Sequence, residues 1–147
     1  MNGRRPGITV LACRYCGGVP AEMAGVRRTG YPATVKVLDV PCTGTVAPLH
    51  LLSALEQGAD GVLVVACPYG GCHHLDGERR ADRRVAHARA ALAEAGLDPG
   101  RLRVVHLGIG NAAAFAEAVR EFGAALAAPA VSAATAPAAP PGTAPAP

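Results

Sequence analysis

The chain has 147 residues, half of them hydrophobic and only 3% aromatic, with no Trp. That composition suits one domain burying about two-thirds of its unfolded surface, with a core of Val, Leu, Ile and Ala. The net charge of +3 is too small to argue for a nucleic-acid or membrane surface, and no apolar run approaches the ~18 residues of a membrane helix.

The first segment, "MNGRRPGITVLAC", starts basic and reaches a cysteine after Leu-Ala, the outline of a bacterial lipoprotein signal. Its apolar stretch, Ile8–Ala12, is shorter than the roughly 7–15 residues such a signal needs, and Pro6-Gly7 precedes it. A cytoplasmic chain is therefore expected. In that compartment five cysteines point to metal or redox chemistry more than to structural disulfides.

Four short β-branched runs follow one another along the chain: "GITVLAC" (7–13), "VKVLDVPC" (35–42), "GVLVVAC" (61–67) and "RLRVVHLG" (101–108). The third is apolar throughout, as in a strand covered on both faces. Helical segments alternate with them. "PAEMAGVRR" (20–28) opens on a proline suited to a first turn. "APLHLLSALEQG" (47–58) places Leu51, Leu52 and Leu55 on one face and stops at Gly58. "ERRADRRVAHARAALAEAG" (78–96) carries Val85, Ala88, Leu92 and Ala95 on one stripe and stops at Gly96. "NAAAFAEAVREFGAAL" (111–126) starts at a potential Asn111 cap, with Phe115, Val119, Phe122 and Leu126 along its apolar stripe.

Such alternation predicts an α/β fold: a small doubly wound, flavodoxin-like sheet of four parallel strands with helices on both faces. The folded domain is expected to span residues 1–126. From Ala127 the sequence has no charge, no aromatic and six prolines, the composition of a flexible tail over 127–147.

Cys13, Cys42 and Cys67 each end a predicted strand, and Cys16 and Cys72 fall in the loops after the first and third. Parallel strands bring all five to the carboxyl edge of the sheet, where such folds place their ligands. The C-x2-C of "CRYC" alone suits a redox dithiol, a zinc site or an iron–sulfur site. A dithiol leaves three sulfurs unexplained, and zinc usually staples folds that lack a core. Glycines in "CGG", "CTG" and "YGGC" suit close backbone approach to a cluster, which favours iron–sulfur while leaving zinc open. By loop, Cys13 with Cys16 and Cys67 with Cys72 make the simplest four-point cage, and Cys42 is the weakest candidate ligand.

His73 and His74 adjoin Cys72, but a Rieske centre draws its histidines from separate loops, so a hydrogen bond to sulfur or a packing role is expected. His50, His87 and His106 read as ordinary packing or surface residues. Arg79, Arg80, Arg83 and Arg84 oppose the dipole of the third helix, with Glu78 and Asp82 relieving part of the cost. They read as a solvated face or as a docking patch beside the cysteines. "GIGN" (108–111) is a turn and cap, not a dinucleotide fingerprint.

"ACRYCGG" followed by "PCTGTVAPLHLLSALEQGADGVLVVACPYGGCHHLDGERRADRRV" resembles the delta subunit family of methyl-viologen-reducing hydrogenase. The resemblance runs over about residues 8–123 and includes the C-x2-C, the lone cysteine and the C-x4-C-H in order. It implies a [2Fe–2S] cluster and transfer of electrons between a hydrogenase or formate dehydrogenase module and heterodisulfide reductase, often its flavin-containing A subunit. By position, Cys13, Cys16, Cys42, Cys67 and Cys72 match the family's cysteines; a cluster takes four, so one of the five is either spare or supports the ligands from behind, and the spacing does not say which. The Pro-Ala tail departs from the family pattern.

Overall fold

The computed structural model describes residues 4–128. Four strands, β1 (Ile8–Cys13), β2 (Val35–Val40), β3 (Gly61–Ala66) and β4 (Leu102–His106), alternate with four helices, α1 (Gly18–Val26), α2 (Pro48–Glu56), α3 (Gly77–Glu94) and α4 (Ala112–Ala127). The strands form one sheet in the order β2-β1-β3-β4, and every pairing is parallel. This is the doubly wound α/β arrangement expected from the alternation, and the apolar stretch with its cysteine, Ile8–Cys13, is the inner strand β1.

The side-chain period of two explains why β3 carries an unbroken apolar run. Val62 and Val64 face a core completed by Leu51 and Leu55 of α2 and Val85, Ala88 and Leu92 of α3. Leu63 and Val65 face the other core, with Ile8 and Val10 of β1 and Phe115, Val119 and Phe122 of α4. Each fully buried side chain of this size contributes roughly 1.5–3 kcal/mol, so both faces of the sheet are anchored. The edge strand β2 alternates between half-buried and exposed residues instead.

Helix boundaries differ from the sequence expectation by one or two residues. Helix α1 starts at Gly18, which leaves Pro20 in the first turn, where a missing N–H still costs nothing. Helix α3 ends at Glu94, so Ala95 leaves the predicted stripe and is exposed, and Gly96 turns the chain in the left-handed region at φ 73°. Leu52 is only partly buried. Asn111 caps α4 through a hydrogen bond from the Ala114 N–H at 3.4 Å, as the "GIGN" turn predicted. His50 is a capping residue, its Nδ1 accepting from the Ala47 N–H at 3.0 Å. Helix α4 runs to Ala127 with Ala128 as its C-terminal cap; residues 129–147 of the expected tail lie outside the described residues. Among those described, no helix is long and apolar enough to cross a membrane.

Candidate metal centre

All five cysteines are free thiols at the carboxyl edge of the sheet. Cys13 is the last residue of β1 and Cys67 the first after β3. These strands are paired, with Ala12 opposite Val65, so the two thiols emerge side by side with their Sγ atoms 3.6 Å apart. Cys16 packs against both. Cys42 follows β2 and caps a short 3-10 turn over Thr43–Thr45. Its Sγ lies 4.0 Å from that of Cys72, which belongs to the β3–α3 loop.

The structure therefore pairs the sulfurs differently from their order in the loops: Cys13 with Cys67, and Cys42 with Cys72. Cys42, the weakest candidate by sequence, is as well partnered as any. Two thiolates bound 2.3 Å from one tetrahedral metal stand about 3.8 Å apart, and the two observed separations bracket that value. Among the described residues, however, no three His, Cys, Asp or Glu side chains converge on a point that would hold a single metal ion. The donor set fits two adjacent two-sulfur bites better than one four-sulfur cage.

Two glycines bring the second pair together. Gly44, in the turn after Cys42, sits against the backbone of Gly77 at the start of α3; a methyl group on Gly44 would come within 2.7 Å of the Gly77 Cα. A methyl on Gly77 would run into the sulfurs of both Cys42 and Cys72. Only glycine lets the helix start approach this closely. Backbone donors also point at these sulfurs: the Gly44 N–H reaches Cys42 Sγ at 3.4 Å and the His74 N–H reaches Cys72 Sγ at 3.3 Å.

Electrostatics differ between the pairs. Burial pushes the Cys67 thiol strongly upward, and the neighbouring thiols of Cys16 and Cys13 add to it. The Cys42 thiol is also raised by burial, but the Gly44 N–H opposes the shift before Cys72 and Cys13 add theirs. A cation inverts this logic, because a coordinating thiol is deprotonated outright.

A second ring of residues holds the site in place, and little in the chain's local patterning announces it. His106, at the end of β4, places Nδ1 2.8 Å from the Cys67 carbonyl oxygen and Nε2 2.9 Å from Asp82 Oδ1. Tyr69 donates to the other Asp82 oxygen at 2.7 Å and stacks on the His106 ring; the bond to Asp82 raises the Tyr69 pKa. Glu78 is buried to 1% exposure and accepts from the Gly70 N–H at 3.2 Å, pinning the loop between Cys67 and Cys72. Its Oε2 is the one buried side-chain N or O atom without a partner among the described residues. Glu78 and Asp82 thus turn toward the cysteine loop instead of relieving the arginines of α3. Among the described residues Arg80 pairs with Asp76 at 2.9 Å, while the Arg79 Nε stays 3.9 Å from Glu78. The end-of-strand rule that gathered the cysteines would also have singled out His106. Burial of Glu78 in an arginine-rich turn had no comparable signal.

The rings of His73 and His74 stay at the surface. Tyr15 stacks on His73 with centroids 4.3 Å apart and meets His74 edge-on at 5.7 Å. This packs the Cys13–Cys16 loop against the segment after Cys72.

Fold and site together define a doubly wound α/β domain with a thiol-rich carboxyl edge. Residues 8–128 match the family described as methyl-viologen-reducing hydrogenase, delta subunit, and the chain belongs to that family. It is 42% identical over 117 residues to the iron-sulfur D subunit of the F420-non-reducing hydrogenase of Archaeoglobus profundus, covering 80% of this chain and 85% of that one. It is 36% identical over 115 residues to the vhu iron-sulfur D subunit of the F420-non-reducing hydrogenase of Methanopyrus kandleri, covering 78% and 87%. It is also 34% identical over 117 residues to the A subunit of the ferredoxin/F420H2-dependent CoB-CoM heterodisulfide reductase of Methanosarcina acetivorans. That match covers 80% of this chain and only 15% of the longer relative.

Proposed function

We propose that this chain is an electron-transfer subunit that carries a [2Fe–2S] cluster at the carboxyl edge of its sheet. In this reading Cys13 and Cys67 hold one iron and Cys42 and Cys72 the other, with Cys16 as the remaining thiol beside Cys67. The observation that carries it is the pairing of the sulfurs at 3.6 and 4.0 Å, two bites of the size a tetrahedral metal needs. Two relatives named as iron-sulfur subunits support the metal. When bound, such a cluster takes up and returns one electron at a time.

The chain's own residues would tune and protect it. Buried positions for Cys13, Cys42 and Cys67 exclude water from most of the sulfur surface. The N–H groups of Gly44 and His74 offer positive dipoles to sulfur, the kind of contact that raises a cluster's reduction potential. The relatives' names support a hydrogenase module as one partner and a heterodisulfide reductase A-like protein as the other; the family resemblance adds a formate dehydrogenase module as an alternative donor and a flavin to the A-like protein.

Anaerobic reconstitution followed by metal and sulfide analysis tests this function. About two irons and two sulfides per chain are expected, with the absorption and paramagnetic resonance signature of a [2Fe–2S] centre. Stoichiometric zinc and no iron would sink the proposal.

A further inference from the structure

Four of the five thiols are sealed inside the protein, and Cys72 is the half-exposed one. The turn that carries it closes through the Leu75 N–H to the Cys72 carbonyl at 3.2 Å. It leaves Leu75 88% exposed and in the left-handed region, at φ 72°. Left-handed backbone is uncommon for a bulky residue and disfavoured by its Cβ. Neither core packing nor turn chemistry calls for leucine here, since glycine or asparagine would turn the chain with less strain. Beside it stand His74, His73 and Tyr15, the last of them 44% exposed and stacked on His73. Single exposed apolar residues are ordinary, but this one follows directly on the exposed Tyr15–His73–His74 stack beside the half-exposed sulfur, and exposed aromatic groups are enriched at interface centres.

The exposed charges around this group are mostly positive. Arg14, between Cys13 and Tyr15, is exposed, as are Arg79 and Arg83 on the first turns of α3. The carboxylates nearest in sequence have partners of their own: Asp76 pairs with Arg80, Asp82 with His106 and Tyr69, and Glu78 accepts from the Gly70 N–H with the Arg79 Nε 3.9 Å away. Asp39 is an exposed carboxylate on the same edge, beside Gly18, but the exposed arginines outnumber it, and they complement carboxylates on a partner.

We infer that the Cys72–Leu75 turn with Tyr15 is a docking face for the electron acceptor: Leu75 enters an apolar socket on that protein, and the arginines meet a rim of carboxylates around it. The inference rests on the electron-transfer reading above and deepens it by naming the contact surface. The relative in which a similar domain makes up 15% of a heterodisulfide reductase A subunit supports that class of protein as the occupant.

The test measures binding of the full, cluster-loaded chain to the heterodisulfide reductase A-like flavoprotein of its own organism, by calorimetry or biolayer interferometry. Leu75→Asp and Tyr15→Asp should each weaken binding about tenfold or more, the loss typical of an interface centre. With Leu75→Asp, iron content and the absorption spectrum should not change. Leu75→Gly, which accepts the left-handed backbone, should also lose binding while folding at least as well as the wild type. Arg79→Glu with Arg83→Glu should slow association most at low salt, because rim charges act mainly on the encounter rate and are screened by salt. Affinity within about twofold of wild type for both Leu75 variants, far short of an interface-centre loss, overturns the inference. So does a finding that Leu75→Asp only converts a dimer of this chain to monomer and leaves partner affinity intact. Absence of iron from the wild type, with Leu75-dependent binding preserved, would overturn the cluster and leave this face standing.

Discussion

The two sulfur pairs reach the same spacing by different means. Cys13 and Cys67 are set by β1 and β3, the two inner strands of the sheet, whose register fixes the chain to the end of the hydrogen-bonded ladder. Both are buried to 1% exposure. Cys42 and Cys72 sit on loops 30 residues apart and meet because Gly44 and Gly77 allow a turn and a helix start to touch. Positioning in the first pair is a property of the fold, whereas in the second it depends on two missing methyl groups. A site built this way has one rigid wall and one adjustable wall, and the adjustable one carries the sulfur nearest the solvent.

The comparison breaks most severely if the ligand pairs are wrong. Cys13→Ser, Cys67→Ser, Cys42→Ser and Cys72→Ser should each drop reconstituted iron from about two per chain to near none, since a [2Fe–2S] centre takes four ligands. Cys16→Ser should keep normal iron content. Iron counting on the five variants decides the matter: a loaded Cys42→Ser protein together with an empty Cys16→Ser protein would restore the pairing by loop order.

A somewhat smaller effect should come from the adjustable wall. Gly77→Ala pushes a methyl into the sulfurs of Cys42 and Cys72 and should destabilise the cluster-free fold by about 1–3 kcal/mol, the usual cost of overpacking. Iron loading should fall as well. In the double variant Gly77→Ala, Cys42→Ala, which removes the nearer of the two clashes, thermal stability should recover in part while iron does not. If the second change restores nothing, the clash lies elsewhere and the two walls do not differ in the proposed way.

The rigid wall should tolerate more. His106→Ala removes the partner of the Cys67 carbonyl and of Asp82 and should cost about 2 kcal/mol, two typical hydrogen bonds at ~1 kcal/mol each. Because the strands still hold Cys13 and Cys67, iron content should stay near normal while the reduction potential shifts. Urea unfolding and a redox titration read the two effects separately; loss of the iron would show that the sheet alone does not position this pair.

Much of this was present in the order of residues. Apolar runs at strand spacing and amphipathic stripes such as Phe115, Val119 and Phe122 set the alternation of elements. Parallel strands then force Cys13, Cys42 and Cys67 to one edge whatever the loops do. Five thiols on that edge, and a family that shares their spacing, could be read without coordinates. Contacts between loops could not. Cys16 lies three residues from Cys13, yet the sulfur that pairs with Cys13 belongs to Cys67, because adjacent parallel strands place their ends side by side. Cys42 finds Cys72 only because two glycine backbones pack face to face. Glu78 and Asp82 read as surface countercharges, but the fold turns both toward the Cys67–Cys72 loop, where Gly70, Tyr69 and His106 engage them. Local sequence determines which elements form and which edge collects the thiols, since those follow from periodicity and chain direction. Which sulfur faces which is decided by close approach between segments distant in the chain, and that exists only once the tertiary structure has formed.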